Sequence, residues 1–564
     1  MDNEIIMALT SSETSSRRPD WVAAILITAI VAGLHFFFVA RAGGLWRDEV
    51  NLINLAGSHS FGDMAKDSFP ALMPLTVRGW VAAGFGRSDG GLRFLGALIG
   101  LGLVAALWAS AWMARRSPPL SGLGLLALNS TVIAYGDSLR GYGLGSLLIV
   151  FALAAACAFL RRSSPARAGW LALFAVLSVQ ALYQNAVFVG AICLGCWAVC
   201  VRRRTWRAAM LILGAGMAAA LSLLPYLTTL VAGRSSVEVL RTDLHFKYIL
   251  DNLAVAAGFP FEPYVCAWVL LAIMVIAGAG VALFCKIEAH VQPGDNLEAQ
   301  EAGLFAGTVL VAGSAGFAGF LWLVGLPTQP WYYVPLLALV AACFDAGLPS
   351  WSRLGRTVFF GLVTATALIA TPVAWRDLNT YRFTNVDALS RQLIAAASPE
   401  DFVVVTPWYC GISFNRYFKS STPWTTLPPL ADHTGHHYDL VRTQMQNTNA
   451  IQPVLDKIAS TLRFGGRVWV VSEAGLMGVP ERGTPSPYNL PPPPLPGYGW
   501  SGLPYTLEWA SQTAHFISNH SQRFEPVKIG APGNLHISEN LDLFVASGWR
   551  VSSPTNSPAA ANPP

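Results

Sequence analysis

Up to about residue 375, long apolar runs alternate with short charged connections; beyond it, brief apolar runs alternate with amphipathic stretches. Trp21 to Ala40 carries a single ionisable side chain, His35, and as a helix it is long enough to cross a hydrocarbon core about 30 Å thick. Ten further runs follow. Reading apolar stretches against charge breaks gives eleven expected spans, at 21–40, 92–113, 119–136, 142–160, 168–183, 186–201, 208–231, 265–285, 303–325, 332–348 and 357–374. Only Gln184 and Asn185 separate the fifth from the sixth.

Charge gives these spans a direction. Arg17 and Arg18 precede the first run, and Arg115-Arg116, Arg161-Arg162-Arg167, Arg202-Arg203-Arg204-Arg207 and Arg353-Arg356 fill alternate connections. Basic loops stay cytoplasmic, so the N-terminus is expected in the cytoplasm and the C-terminal region on the far side. The outer connections are then 41–91, 137–141, 183–186, 232–264, 326–331 and everything from Trp375 onward. Ala71 to Phe85 is too short to span and suits an interfacial helix.

Bulk composition agrees with this pattern. Of 564 residues, 53% are hydrophobic and 12% charged, and the mean hydropathy is +0.45, which points to a polytopic membrane protein. The first run is too long for a signal-peptide core and lacks a clear cleavage site, so it is expected to remain. A net charge of +5 spread over topology-setting loops gives no nucleic-acid footprint. Most of the eight cysteines fall inside or beside apolar runs, Cys193-x-x-Cys196 included, and read as small core residues.

From residue 375 the pattern becomes that of a water-soluble fold. Asn385 to Ala397 is helix-like, and Asp401 to Thr406 is a buried strand. A helix over Ile451 to Leu462 leads to a second strand at Gly465 to Val471, and His536 to Val545 suggests another. This alternation predicts a small α/β domain over 375–550. It contains a Pro-rich loop at 480–504, and a disordered tail is expected at 551–564. Gly465-Gly466 precedes a strand and is no dinucleotide fingerprint.

The candidate chemistry lies in the outer loops. Trp46-Arg47-Asp48-Glu49 follows the first span, and two tandem carboxylates at a membrane edge can take a proton from an acceptor or share a divalent cation. Phe69-Pro70-Ala71-Leu72 comes later in that loop, and Arg93 opens the second span. Tyr135-Gly136-Asp137-Ser138-Leu139-Arg140-Gly141-Tyr142 enters the fourth, and Gln329-Pro330-Trp331-Tyr332-Tyr333-Val334-Pro335 enters the tenth. Over about residues 20–375 these motifs, in this order, resemble those of the GT-C glycosyltransferases, with protein O-mannosyltransferases and bacterial aminoarabinose-transferase-like enzymes as nearest kin. Phe69 stands where the family usually has His, Ala71 where it has a second Pro, and aromatic residues where a late Arg is usual.

The resemblance implies a GT-C-like membrane domain of about 11 transmembrane helices over 21–374, after a cytoplasmic tail at 1–20 and before an extracytoplasmic α/β domain. It implies transfer of a sugar from a polyprenyl-phosphate donor to an envelope acceptor (protein, lipid or glycan) at the outer face of a bacterial inner membrane, with inversion. Asp48 is then the candidate base, and Glu49 would orient the acceptor or share a metal. Arg140 is the first candidate for the leaving phosphate, with Arg93, Arg241 and Lys247 as further cations; the last two also suit headgroup snorkelling. Asp137 could hold a metal or fix Arg140. Trp331, Tyr332 and Tyr333 could line the lipid-sugar cavity, although an aromatic belt at the interface also explains them, and Trp46 and Tyr142 are further substrate-binding candidates. A divalent ion is a possible cofactor, with Asp48, Glu49 and Asp137 as possible ligands and His59 or His245 as possible additions. Asp432, His433, His436, His437 and Asp439 form a second polar cluster, expected on a surface loop. A lipid-linked glycan transporter and a non-catalytic envelope scaffold are the alternative readings.

Overall fold

The computed structural model describes residues 18–64, 69–228, 231, 238–240, 245–258, 260–284, 295–347, 353–530, 534–535 and 539–550. The tails expected at 1–20 and 551–564 lie outside these apart from residues 18–20. Two compact units form. One contains the chain up to Arg41 with Ala56–Val231 and Asp243–Asn379; the other contains Ala42–Leu55, Ala232–Thr242 and the chain from Thr380. The stretch carrying Asp48 and Glu49, expected as an outer loop of the membrane domain, therefore belongs to the unit that holds the C-terminal fold.

The first unit is helical. Among the described residues, nine helices are long and apolar enough to cross a membrane, and the chain is a multi-pass membrane protein. The other two expected spans are present as shorter segments. Over 119–136 the helix is broken: a π-helical stretch Gly122–Ala127 gives way to Ser130–Gly136. Asn129 makes the break, its side chain accepting from the Thr131 and Val132 N–H groups as an N-cap. Asp345 accepts the Ser121 and Gly122 N–H groups at 2.9 Å each, which satisfies donors left over by the irregular start. The fifth segment is the helix Pro165–Ala181. Residues 182–184 separate it from Asn185–Arg202, where the buried Asn185 amide donates to Ser178 Oγ at 2.9 Å and to the Gly145 carbonyl at 3.0 Å.

Gly141–Arg161 is central to the bundle, packing on Asp89–Arg115, Pro165–Ala181 and Val334–Gly347. The stretch expected as an interfacial helix is helical over Leu72–Ala82. Within the second long outer connection, Phe246–Ala256 is helical. The last membrane helix runs to Thr380, past the expected end at 374.

The second unit is built on a five-stranded sheet. Its strands are β2 (Phe402–Thr406), β3 (Trp424–Thr426), β4 (Val468–Glu473), β5 (Ser521–Val527) and β7 (Leu541–Trp549), while the short β1 (Tyr381–Arg382) and β6 (Asn534–Leu535) pair separately in parallel. The order is β3-β2-β4-β7-β5. β2 pairs in parallel with both neighbours, and β7 is antiparallel to β4 and β5. β2 is buried along its whole length, which is why it reads as a continuous apolar run rather than an alternating one. Phe402 and Val404 face the helices Tyr438–Met445, Gln452–Arg463 and Leu503–His520, while Val403 and Val405 face Val386–Ala396 and Cys410–Tyr417. The chain leaves β2 for β3 on one side and later returns to β4 on the other. This reversal at the carboxyl ends of parallel strands is where open α/β sheets bind ligands.

Candidate functional site

Arg47–Ala56 is a helix, and its first turn holds both acids of the expected motif. Glu49 is fully buried, and its carboxylate accepts from the Trp46 N–H at 3.3 Å. This is the returning half of a capping box, in which an acid in the first turn satisfies the donor at the helix entrance. Trp46 is buried and stacks on Phe383, with ring centroids 5.5 Å apart. The two acids thus face different surroundings.

Asp48 is mostly buried, and its Oδ1 lies 3.1 Å from Nε2 of His436. An ionised carboxylate only accepts, so the imidazole contact calls for a proton on Nε2. His436 comes from the loop that follows β3. Tyr438 stacks on it at 5.8 Å, and Trp408, from the loop after β2, meets it edge-on at 6.1 Å. The same loop is seated on the Arg47–Ala56 helix: Asn54 donates to the Thr434 carbonyl at 2.9 Å, and a Cβ at Gly435 would lie 2.9 Å from Asn51 Oδ1. Asp48 therefore sits at the carboxyl ends of the parallel strands.

Arg47 lies beside Asp48. Its guanidinium lies 4.5 Å from the centroid of the Tyr409 ring and 4.0 Å from Asp48 Oδ1. Burial disfavours its charge, but Tyr409, Asp48 and Glu539 outweigh that and hold its pKa above the ordinary value. Glu539 is fully buried, accepts the Arg47 N–H at 3.2 Å and accepts from the Ser413 hydroxyl. Burial pushes its carboxyl up to about 7, against the opposing pull of Arg47 and its hydrogen bonds. The Tyr409 hydroxyl donates to Glu473, at the end of β4, at 2.5 Å.

The polar cluster at 432–439 does not converge. His437 Nε2 pairs with Asp432 Oδ2 at 3.1 Å, His433 packs on Trp424 at 4.5 Å, Asp439 enters the next helix, and His436 turns to Asp48. The loop lies at the surface as expected, with Thr434 and Asp439 exposed, while His436 itself is mostly buried. Among the described residues, no three His, Cys, Asp or Glu side chains come together as a metal site.

In the membrane unit, Asp137 caps the helix Ser130–Gly136 and is buried, with both carboxylate oxygens 2.8 Å from Nδ1 of His35 in the first span. Two glycines make room for it. A Cβ at Gly96 would lie 1.8 Å from the Asp137 carbonyl oxygen, and one at Gly100 would lie 2.1 Å from Oδ1 and 2.6 Å from the His35 ring. Arg93 is buried one turn before Gly96 on the same helix. Arg140, also buried, lies with its guanidinium 4.2 Å from the centroid of the Phe69 ring. Phe69 meets Tyr142 edge-on at 5.8 Å, and Tyr142 stacks on Tyr332 at 5.8 Å. Phe69, at the position where the resembled family has His, thus supplies a cation–π face to Arg140.

The remaining candidates lie elsewhere. The Tyr333 hydroxyl donates to Thr328 at 3.2 Å inside the bundle. Lys247 is exposed and pairs with Asp251 one turn on at 2.6 Å, and His59 and His245 are exposed. Arg241 lies outside the described residues. The sequence singled out His436 only as a member of a polar cluster and His35 only as a lone charge in a span. Neither position carries a local signal of its partner.

No protein-family model matches the chain, and no curated protein matches it in sequence. Among solved structures it is similar to ArnT from Cupriavidus metallidurans bound to undecaprenyl phosphate. The identity is 13% and the TM-score 0.49, over 80% of this chain and 93% of that one. It is also similar to the oligosaccharyltransferase of Archaeoglobus fulgidus in complex with zinc and sulfate, at 11% identity and a TM-score of 0.45, over 80% of this chain and 68% of that one.

Proposed function

We propose that this protein is an inverting membrane glycosyltransferase that moves a sugar from a polyprenyl-phosphate donor to an envelope acceptor. It would act at the outer face of a bacterial cytoplasmic membrane, with the N-terminus inside and the C-terminal domain outside. The observation that carries this reading is Asp48: a mostly buried carboxylate directly after the first span, oriented by an imidazole at the carboxyl ends of parallel strands. As the acceptor oxygen or nitrogen attacks the anomeric carbon, Asp48 takes its proton. The bond from that carbon to the phosphate oxygen breaks, and its electrons leave with the polyprenyl phosphate.

Arg140 supplies the cation for the leaving phosphate, with Arg93 as a second buried charge. Tyr142 and Tyr332 offer flat faces to sugar or prenyl chain, and Lys247 suits lipid headgroups. Glu49 and Trp46 shape the turn that aims Asp48. The order of the motifs from Trp46 to Pro335, which resembles that of GT-C enzymes, supports the same reading.

Transport of a lipid-linked glycan is the second reading, favoured by the buried His35–Asp137 pair in the membrane unit, since intramembrane charge pairs often mark transport pathways. Mass spectrometry of envelope glycans from a deletion strain tests the proposal. Loss of one sugar from an otherwise intact envelope component is the expected result. An unchanged glycan profile would count against transfer, and a labelled glycolipid crossing vesicles with its covalent structure intact would establish transport.

A further inference from the structure

An imidazole from the far end of the chain, that of His436, lies 3.1 Å from the Asp48 carboxylate. We infer that His436 is a positioning residue for sugar transfer, holding the Asp48 carboxylate in the orientation in which it takes the acceptor proton. The inference rests on the transferase reading above and adds to it a role for the C-terminal domain.

The geometry has three parts. First, Nε2 of His436 lies at hydrogen-bond distance from Oδ1 of Asp48, and both side chains are mostly buried. A hydrogen bond to one oxygen fixes the plane of a carboxylate, and with it the direction of the other. Second, the imidazole is itself held: Tyr438 lies nearly parallel to it, with an 8° interplanar angle, and Trp408 closes an edge. Third, the loop that carries His436 is bound to the Arg47–Ala56 helix through Asn54 and Thr434, so ring and carboxylate are fixed on one framework. Well-placed groups contribute to rate through such fixed geometry, and small displacements are costly.

The charged and titratable neighbours are consistent with orientation as the role. Arg47 lies on the same helix, at 4.0 Å from Asp48. Asp432 and His437 pair with each other within the histidine loop. Tyr409, Glu473 and Glu539 surround Arg47. The His436 imidazole is thus directed at the Asp48 carboxylate at hydrogen-bond distance.

The experiment uses the full-length protein in nanodiscs, with radiolabelled undecaprenyl-phosphate monosaccharides as donors and envelope fractions from a deletion strain as acceptor. His436→Ala should lower kcat roughly tenfold to a hundredfold, the loss expected for a hydrogen bond to a charged group, with the donor KM changed less than about twofold. His436→Gln can place an amide N–H near the position of Nε2 and should recover most of that rate, which a general packing role would not produce. If Asp48→Asn is inactive while His436→Ala turns over at the wild-type rate, the positioning role is wrong and the transferase reading stands. If Asp48→Asn itself transfers sugar normally, the transferase mechanism falls first. Should His436→Ala fail to fold, His436→Gln alone decides: a folded Gln variant as slow as Asp48→Asn would overturn the inference.

Discussion

Nε2 of His436 lies 3.1 Å from Oδ1 of Asp48, although 388 positions separate the two in sequence. Two features that look unrelated along the chain, an acid pair after the first span and a histidine-rich loop in the C-terminal fold, are one constellation in space. The other acid, Glu49, faces its own helix entrance.

That division predicts opposite behaviour for neighbouring substitutions. Glu49→Ala removes the acceptor for the Trp46 N–H and should destabilise the C-terminal unit by ~1–3 kcal/mol, the cost of a lost buried cap. Glu49→Gln keeps an acceptor on the same stem and should cost less than half of that. Denaturant titration of both variants checks the order. Equal losses would show that the charge of Glu49, rather than its cap, matters.

Glu539 gives the C-terminal unit a pH dependence with a definite sign. Its carboxyl is raised from 4.5 to about 7 by burial, so between those values the folded state binds more protons than the unfolded one. Stability from this group is present in mild acid and falls as pH rises towards 7, by about 3 kcal/mol over the full window. Hydrogen exchange of peptides from β2 and β4 at pH 5 and pH 8 should show weaker protection at the higher pH. In Glu539→Gln that difference should shrink; an undiminished difference would place its source elsewhere.

Gly100 and Gly96 are expected to be intolerant for a local reason. An added methyl at either position enters the space of Asp137, so Gly100→Ala should separate Asp137 from His35 and lower the melting temperature of the membrane unit, with overpacking costing ~1–3 kcal/mol. Gly90, on the same helix with open space around its Cβ position, is the control, and Gly90→Ala should be neutral or slightly stabilising. Thermal melts in detergent separate these outcomes.

Arg140 tests the phosphate assignment. Arg140→Ala should weaken binding of undecaprenyl phosphate about tenfold to a hundredfold, in line with a charge-assisted contact. Arg140→Lys should be intermediate, because it keeps the charge but loses the planar group over Phe69. Unchanged lipid affinity in both variants would assign Arg140 to structure alone.

Much of the fold is legible in the sequence because apolar runs of this length have few alternatives, and because β2 and β4, buried on both faces, leave continuous hydrophobic signals. The rest depends on partners far along the chain. The break in 119–136 needs Asn129 as a cap and Asp345 as an acceptor, and neither is visible as a periodicity. The helix Leu503–His520 opens with Pro504 in its first turn, where proline is tolerated. In the sequence that proline extends the apparent Pro-rich loop. β5 escapes notice as a sheet-edge strand, being largely exposed and polar. In the candidate site, Asp48, Glu49, Asp137 and Arg140 stand out by charge and position, but the contacts that distinguish them, from His436, the Trp46 N–H, His35 and Phe69, arise only on folding.

The most direct measurement is sugar transfer by purified, folded Asp48→Asn from an undecaprenyl-phosphate sugar. Loss of a positioned base should lower the rate by roughly 10²–10⁴-fold, with an unchanged melting temperature. Transfer at the wild-type rate by a folded Asp48→Asn protein would contradict the role assigned to this carboxylate.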